Sequence, residues 1–187
     1  MTSLAKTITR SIIAARPAVH TISAQEFIAL YDELFPRVYT YVRYRCNDLI
    51  TADDLTAAIF EKALNHLDAY RSSIAPFSAW LFGIARNETN KYLRTLFNQK
   101  YLAMEEIRDH PAYDPTPEEA LIENEIHREL LSAIVHLDDR ERDLLGLKFA
   151  SRFTNRQISE ITGLSESNVG VIVFRAIHKL RKEMQTG

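Results

Sequence analysis

The chain has 187 residues, 46% of them apolar, enough for one or two buried cores. Cys46 stands alone, which excludes a disulfide framework and a cysteine zinc site and suits a reducing cytosol. No apolar stretch reaches the roughly 18 residues of a membrane span, so membrane insertion is not expected. With five glycines and no period-two run of convincing length, the fold class read here is all-α.

The net charge of −2 conceals an uneven distribution. Residues 1–24 carry 3 basic groups and no acids, 25–95 carry 8 against 9, 96–131 carry 3 against 9, and 132–187 carry 9 against 7. The negative excess thus sits in one block, and the global charge says little about the faces on either side. Residues 1–22 read as a basic, disordered tail; their composition resembles an organellar targeting peptide, but the apolar pattern is weak.

An N-terminal domain is expected over 23–98, built from three helices. The first opens on the capping box Ser23-x-x-Glu26 and carries Phe27, Leu30, Tyr31, Leu34, Val38, Tyr41 and Val42 at helical spacing. Pro36 should kink or break it. The second is expected to open at Thr51-x-x-Asp54 and to bury Leu55, Ile59, Ala63 and Leu67. The third starts near Pro76. At about 100° per residue, Phe77, Leu81, Ile84, Ala85, Tyr92 and Leu96 form its core stripe, while Trp80, Gly83, Asn87, Asn90, Lys91 and Arg94 gather on another side. Two readings of that side are open. Aromatic rings among Asn, Lys and Arg suit unpaired bases and phosphates; equally, Trp80 could pack beneath a neighbouring helix with the charges merely solvated.

Residues 99–122 read as an acidic linker, because three of the six prolines fall within His110–Glu119 and preclude a continuous helix. It is either a solvated spacer or an acidic strand for a basic channel of a partner. A second helical domain is expected over 123–187. Its run from Thr154 to Val169 reads as a helix-turn-helix. Thr154 and Gln157 form a capping box, Gly163 ends the first helix, Ser165 caps the second, and Ile158, Leu164 and Val169 pin the pair. Arg175, Lys179, Arg181 and Lys182 continue the second helix as a basic run, which distinguishes it from an ordinary helical hairpin. Opposite charges joined in cis act at high effective concentration, so the linker or a contact between the domains could cover these basic surfaces.

No enzymatic site is legible. The six histidines are scattered without metal-ligand spacing, no glycine-rich phosphate loop occurs, and no Ser or Cys sits in a nucleophile setting. No cofactor is expected.

Three motifs occur in one order: Asp53-Asp54-Leu55 to Phe60, Phe77-Ser78-Ala79-Trp80-Leu81-Phe82-Gly83-Ile84-Ala85-Arg86-Asn87, and Leu137-Asp138-Asp139-Arg140-Glu141-Arg142-Asp143-Leu144-Leu145 followed by the helix-turn-helix. Together they resemble the extracytoplasmic-function group of bacterial sigma factors, over about residues 24–97 and 125–184. The resemblance implies a non-enzymatic cytoplasmic protein that binds core RNA polymerase and promoter DNA, with an anti-sigma factor as a further candidate partner. It implies polymerase binding by Asp53, Asp54, Leu55, Ala57, Ala58 and Phe60, with Ala57-Ala58 standing where the family usually has Gln-Glu. It implies minus-ten recognition and melting by Tyr70, Arg71, Ser72, Ser73, Trp80, Arg86, Asn87, Asn90, Lys91 and Arg94, the loop 70–76 capturing a flipped base.

By the same resemblance, minus-thirty-five recognition falls to Arg156, Ser165, Ser167, Asn168, Val171, Phe174, Arg175, Lys179 and Lys182. Arg175, Lys179 and Lys182 would hold phosphates while Ser167, Asn168 and Val171 read bases. Gly170, Val171 and Ile172 replace the Lys, Ser and Arg frequent there; Val171 and Phe174 could instead meet thymine methyls. Two other readings remain: a free-standing regulator with a helical sensor domain, and an interaction protein that has lost DNA function.

Overall fold

Helix α1 (Ala24–Cys46) begins where the sequence places it, at a closed capping box: Glu26 N–H donates to Ser23 Oγ (3.2 Å) and Ser23 N–H to Glu26 Oε2 (2.8 Å). The structure, a computed structural model, describes residues 22–46, 48–103 and 125–186. The basic tail expected at 1–22 and the linker expected at 99–122 therefore lie almost wholly outside the described residues. Of the kink or break expected at Pro36, no break occurs: α1 runs on through it. Of the predicted stripe it buries Leu34, Val38, Tyr41 and Val42, while Phe27 and Leu30 are half-buried and Tyr31 is exposed; it also buries Arg43 and Arg45.

Helix α2 (Leu49–Asn65) starts two residues before the expected site. Its cap is Asp48, whose carboxylate accepts from Thr51 N–H at 2.7 Å, so Thr51 lies inside the first turn. Ala52, Thr56, Ile59, Phe60 and Ala63 face the core. A short 3-10 turn (Leu67–Ala69) and a loop lead to helix α3 (Phe77–Ala103), which extends five residues past the expected domain boundary. Phe77, Leu81 and Ala85 are buried as expected, and so is Phe82, which the sequence stripe left out.

The second group comprises α4 (Glu125–Ile134), α5 (Asp139–Leu145), a π-helical turn (Gly146–Ala150), α6 (Asn155–Thr162) and α7 (Glu166–Thr186). Helix α5 opens on a second capping box, Asp138 with Glu141. After the π turn, Arg152 takes a left-handed conformation (φ 57°) and turns the chain towards Phe153. Helix α6 opens on the predicted Thr154–Gln157 box and ends at Gly163, whose φ of 74° carries the chain into α7. Ser165 Oγ accepts from Asn168 N–H (3.2 Å) at the start of α7. Ile158, Val169, Val173 and Ala176 close the space between the two helices.

The two helical domains share one continuous buried cluster. Phe153 meets Phe82 edge to face, with centroids 5.3 Å apart, and Tyr41 meets Phe82 in the same way at 5.8 Å. A Cβ added to Gly146 would lie 2.7 Å from the Tyr41 ring. Glycine at 146 thus permits the C-terminal domain to settle against α1.

Gly163 has open space for a Cβ but a left-handed backbone, so its cost on substitution is conformational. Gly163→Ala is expected to lower unfolding free energy by about 1 kcal/mol, measured as a reduced urea midpoint at unchanged m-value.

Candidate nucleic-acid and polymerase interface

Three surfaces carry the residues singled out in the sequence. On α2, Asp53, Asp54, Ala57 and Ala58 are exposed along one side. Leu55 is half-buried, and Phe60 is buried against Tyr31 and Phe35, with centroids at 4.7 and 5.9 Å. Phe60 therefore supports this surface from beneath and is not on it. An ion pair between Lys62 and Glu88 ties α2 to α3.

In the loop after the 3-10 turn, Arg71, Ser72 and Ser73 are exposed, and Ile74 is 82% exposed. Tyr70 is buried; its hydroxyl donates to Ala75 O at 3.2 Å and closes the loop. Trp80 is half-buried, its ring 5.4 Å from Tyr70 and 5.3 Å from Phe77. The ring thus packs on aromatic neighbours while the residue stays partly exposed.

The polar side of α3 divides. Asn87, Lys91 and Arg94 are exposed. Arg86 and Asn90, one turn apart, are engaged with other elements. Arg86 Nε donates to Asp143 Oδ2 (2.7 Å), and Asn90 Oδ1 accepts from Arg45 Nη2 (3.0 Å). Arg45, whose side chain is fully buried, also donates from Nη1 to Asp143 Oδ1 (2.9 Å) and from Nη2 to Asp139 Oδ1 (2.7 Å). Tyr41 donates its hydroxyl proton to Asp143 Oδ1 at 2.7 Å. Arg142 Nη1 reaches back to Arg45 O at 3.4 Å, and Arg37 donates to Ser151 O. Asp143 thus joins α1, α3 and α5.

Electrostatics follow from this burial. Desolvation pushes the Arg45 guanidinium down, but Tyr41, Asp143 and Asp139 outweigh it and hold the group firmly protonated. Burial and then the Asp143 charge raise the Tyr41 phenol well above its ordinary value, so it stays a donor. Beside this cluster opens a cleft of about 820 Å³, lined on the α3 side by Arg94 and Phe97 and on the other by Arg140, Thr162 and Leu164.

The third surface is the exposed side of α6 and α7. Ser165, Ser167, Asn168, Val171, Phe174, Arg175 and Lys182 are exposed, as is Arg156, which pairs with Glu160 at 3.3 Å. Phe174 is 72% exposed. This stripe stands on the buried Val169, Val173 and Ala176. Lys179 differs from the expected phosphate ligand: its Nζ lies 2.6 Å from Glu141 Oε1, a buried carboxylate at the start of α5. It anchors α7 to α5. Gly170 lies against Asn155, where an added Cβ would come within 3.3 Å of the side-chain nitrogen.

Residues 30–96 match the family Sigma-70 region 2, and residues 133–182 match Sigma-70, region 4. The ECF RNA polymerase sigma factor BldN of Streptomyces coelicolor is 26% identical over 85% of this chain, which spans 60% of that relative's length. The sigma factor YlaC of Bacillus subtilis is 28% identical over 83% of this chain and 90% of its own. In fold, the chain is similar to the sigma factor RpoE of Bartonella quintana, solved with the anti-sigma factor NepR (TM-score 0.73, 20% identity, 87% of this chain and 98% of that one). It is also similar to CnrH solved with the cytosolic domain of CnrY (TM-score 0.63, 20% identity, 88% and 90%). The chain belongs to the sigma-70 family of RNA polymerase sigma factors, in its extracytoplasmic-function group. Its function is therefore promoter-specific transcription initiation with RNA polymerase.

Sequence reasoning missed Tyr41, Arg45, Asp139 and Asp143 as a unit. A signal existed: Tyr41/Arg45, Arg86/Asn90 and Asp139/Asp143 are each four residues apart on their helices, so each pair projects from one side. No group of His, Cys, Asp and Glu suited to a metal ion occurs among the described residues, and no described helix is long and apolar enough to cross a membrane.

Cys46 follows Arg45, and burial pushes its thiol up to about 12. The reactive form is the thiolate, so alkylation at pH 8 should be about a thousandfold slower than for a free thiol. The rate should rise about tenfold per pH unit without levelling off below about pH 12, and recover on unfolding in urea. Timed iodoacetamide labelling read by mass spectrometry checks this.

Proposed function

We propose that the three surfaces divide the labour of a sigma factor along the lines the family resemblance implies. The exposed side of α2, with Asp53, Asp54, Ala57 and Ala58, docks on core polymerase, Leu55 and Phe60 shaping it from within. Asn87, Lys91 and Arg94, joined by Arg86 and Asn90 when those are free, hold the upstream edge of the minus-ten element. Trp80 wedges at the junction of paired and unpaired DNA, and the loop of Tyr70, Arg71, Ser72 and Ser73 takes up a flipped base.

Helix α7 enters the major groove at the minus-thirty-five element. The observation that carries this reading is the exposed stripe Ser167, Asn168, Val171 and Phe174 on a fully packed helix. Hydroxyl and amide groups can address base edges there, and the two apolar groups suit thymine methyls. Arg156, Arg175 and Lys182 flank the stripe as phosphate ligands. The protein itself catalyses nothing; the polymerase performs the chemistry, in the cytoplasm. RpoE was solved with an anti-sigma factor and CnrH with the cytosolic domain of CnrY, and a partner of the first kind is proposed for this chain.

Run-off transcription of genomic DNA by core polymerase with the added protein tests the reading: discrete start sites are expected, and their absence would refute it. Within that assay, Trp80→Ala should retain polymerase binding but lose most thymine reactivity to permanganate in the opened region. Its half-buried contacts with Tyr70 and Phe77 should cost about 2 kcal/mol of stability, so opening is measured well below the variant's melting point. Normal opening would remove the wedge role from Trp80.

A further inference from the structure

The cleft of about 820 Å³ has a charge balance that the ion pairs around it do not explain. Two carboxylates stand in its wall, Asp139 and Asp143. Both are matched: Arg45 donates to each, and Arg86 takes the second oxygen of Asp143. Three further arginines line the same space, Arg94 from α3 and Arg140 and Arg142 from α5.

None of these three pairs with a carboxylate among the described residues. Arg94 donates from Nε to Asn90 O (3.2 Å), one turn back on its own helix. Arg142 makes one long bond to Arg45 O (3.4 Å), and its buried Nε has no hydrogen-bond partner. Arg140 is exposed. Like charges around one space repel, and a buried donor without a partner carries a desolvation cost. A multiply charged anion relieves both, because guanidinium donors match phosphate oxygens in pairs.

The α3 wall adds a second chemistry. Phe97, one turn after Arg94, is 68% exposed, and the neighbouring Asn98 presents an exposed amide. An aromatic ring stacks on any nucleobase, and an amide both donates to and accepts from a base edge. The cleft volume falls within the roughly 300–1,000 Å³ of small-molecule sites.

We propose that this cleft binds a nucleoside di- or triphosphate, the base against Phe97 and Asn98 and the phosphates among Arg94, Arg140 and Arg142. The site does not rest on the sigma-factor reading; it adds a small ligand to a chain whose other proposed partners are macromolecules. Arg94 is shared with the proposed minus-ten surface, so the test leaves that residue untouched.

Isothermal titration calorimetry of the full-length chain at low salt uses three probes: ATP, GTP and inorganic tripolyphosphate. One nucleotide per chain is expected to bind, about tenfold tighter than tripolyphosphate, the difference being the stacked base. Arg140→Gln should weaken all three probes about tenfold. Phe97→Ala should weaken ATP and GTP to the level of tripolyphosphate and leave tripolyphosphate unchanged. Phe97→Tyr, which keeps a stacking ring, should bind nucleotide as wild type does. Both positions are exposed, so circular dichroism melts of the unliganded variants should superimpose on wild type.

Absence of saturable binding at millimolar nucleotide would overturn the proposal, as would an Arg140→Gln variant that binds like wild type. Nucleotides that bind no tighter than tripolyphosphate would leave only a general anion site and overturn the assignment to a nucleotide. So would an oligoglutamate peptide that binds more tightly than ATP and displaces it, since the cleft would then belong to an acidic protein segment. These titrations contain neither promoter nor polymerase, so their failure is distinct from an absence of start sites.

Discussion

The carboxylate of Asp143 is the point on which the arrangement of this molecule turns. Its two oxygens accept from a phenol and two guanidiniums, all contributed by the other domain. Burying such groups carries a desolvation penalty of several kcal/mol per ion, which mutual attraction roughly repays when the geometry is good. The net stabilisation is therefore small, but the geometric demand is high. Removing one partner while the interface stays shut would strand a buried charge at a cost of about 3–5 kcal/mol.

Much of the fold was legible because its signals are local. Ser23 with Glu26 and Thr154 with Gln157 are short-range hydrogen-bond patterns, and the structure closes both boxes. Gly163 ends its helix by the left-handed conformation that its lack of a Cβ permits. The errors also have local causes. Thr51 was favoured as a cap because an acid follows three residues later, but Asp48 is the stronger acceptor and starts the helix earlier. Pro36 sits in α1 without ending it, since packing of Leu34, Val38 and Tyr41 on both sides outweighs one missing hydrogen bond.

What the sequence concealed was pairing between distant segments. Periodicity shows which residues share a side of a helix but not which helices meet. Arg86 and Asn90 were placed with DNA, Tyr41 belonged to a core stripe, and Arg45, Asp139 and Asp143 had no role of their own. Phe82 fell outside the α3 core stripe because its partners, Tyr41 and Phe153, lie 41 and 71 positions away in the chain. Lys179 was placed with the phosphate ligands because its neighbours are basic, whereas the buried Glu141 beneath it is visible only in three dimensions.

The division of exposure gives the functional account its shape. The side of α2 that carries Asp53 and Asp54 and the side of α7 that carries Ser167 and Phe174 are exposed, while Arg86 of α3 is engaged by Asp143 of α5 and Asn90 by Arg45 of α1. The most direct measurement is the distance between the domains of the wild-type sequence in the free chain. Dyes at the exposed Gln25 and Gln185, read by single-molecule energy transfer, report it. The account predicts a single short distance. A long distance in the free chain would contradict it.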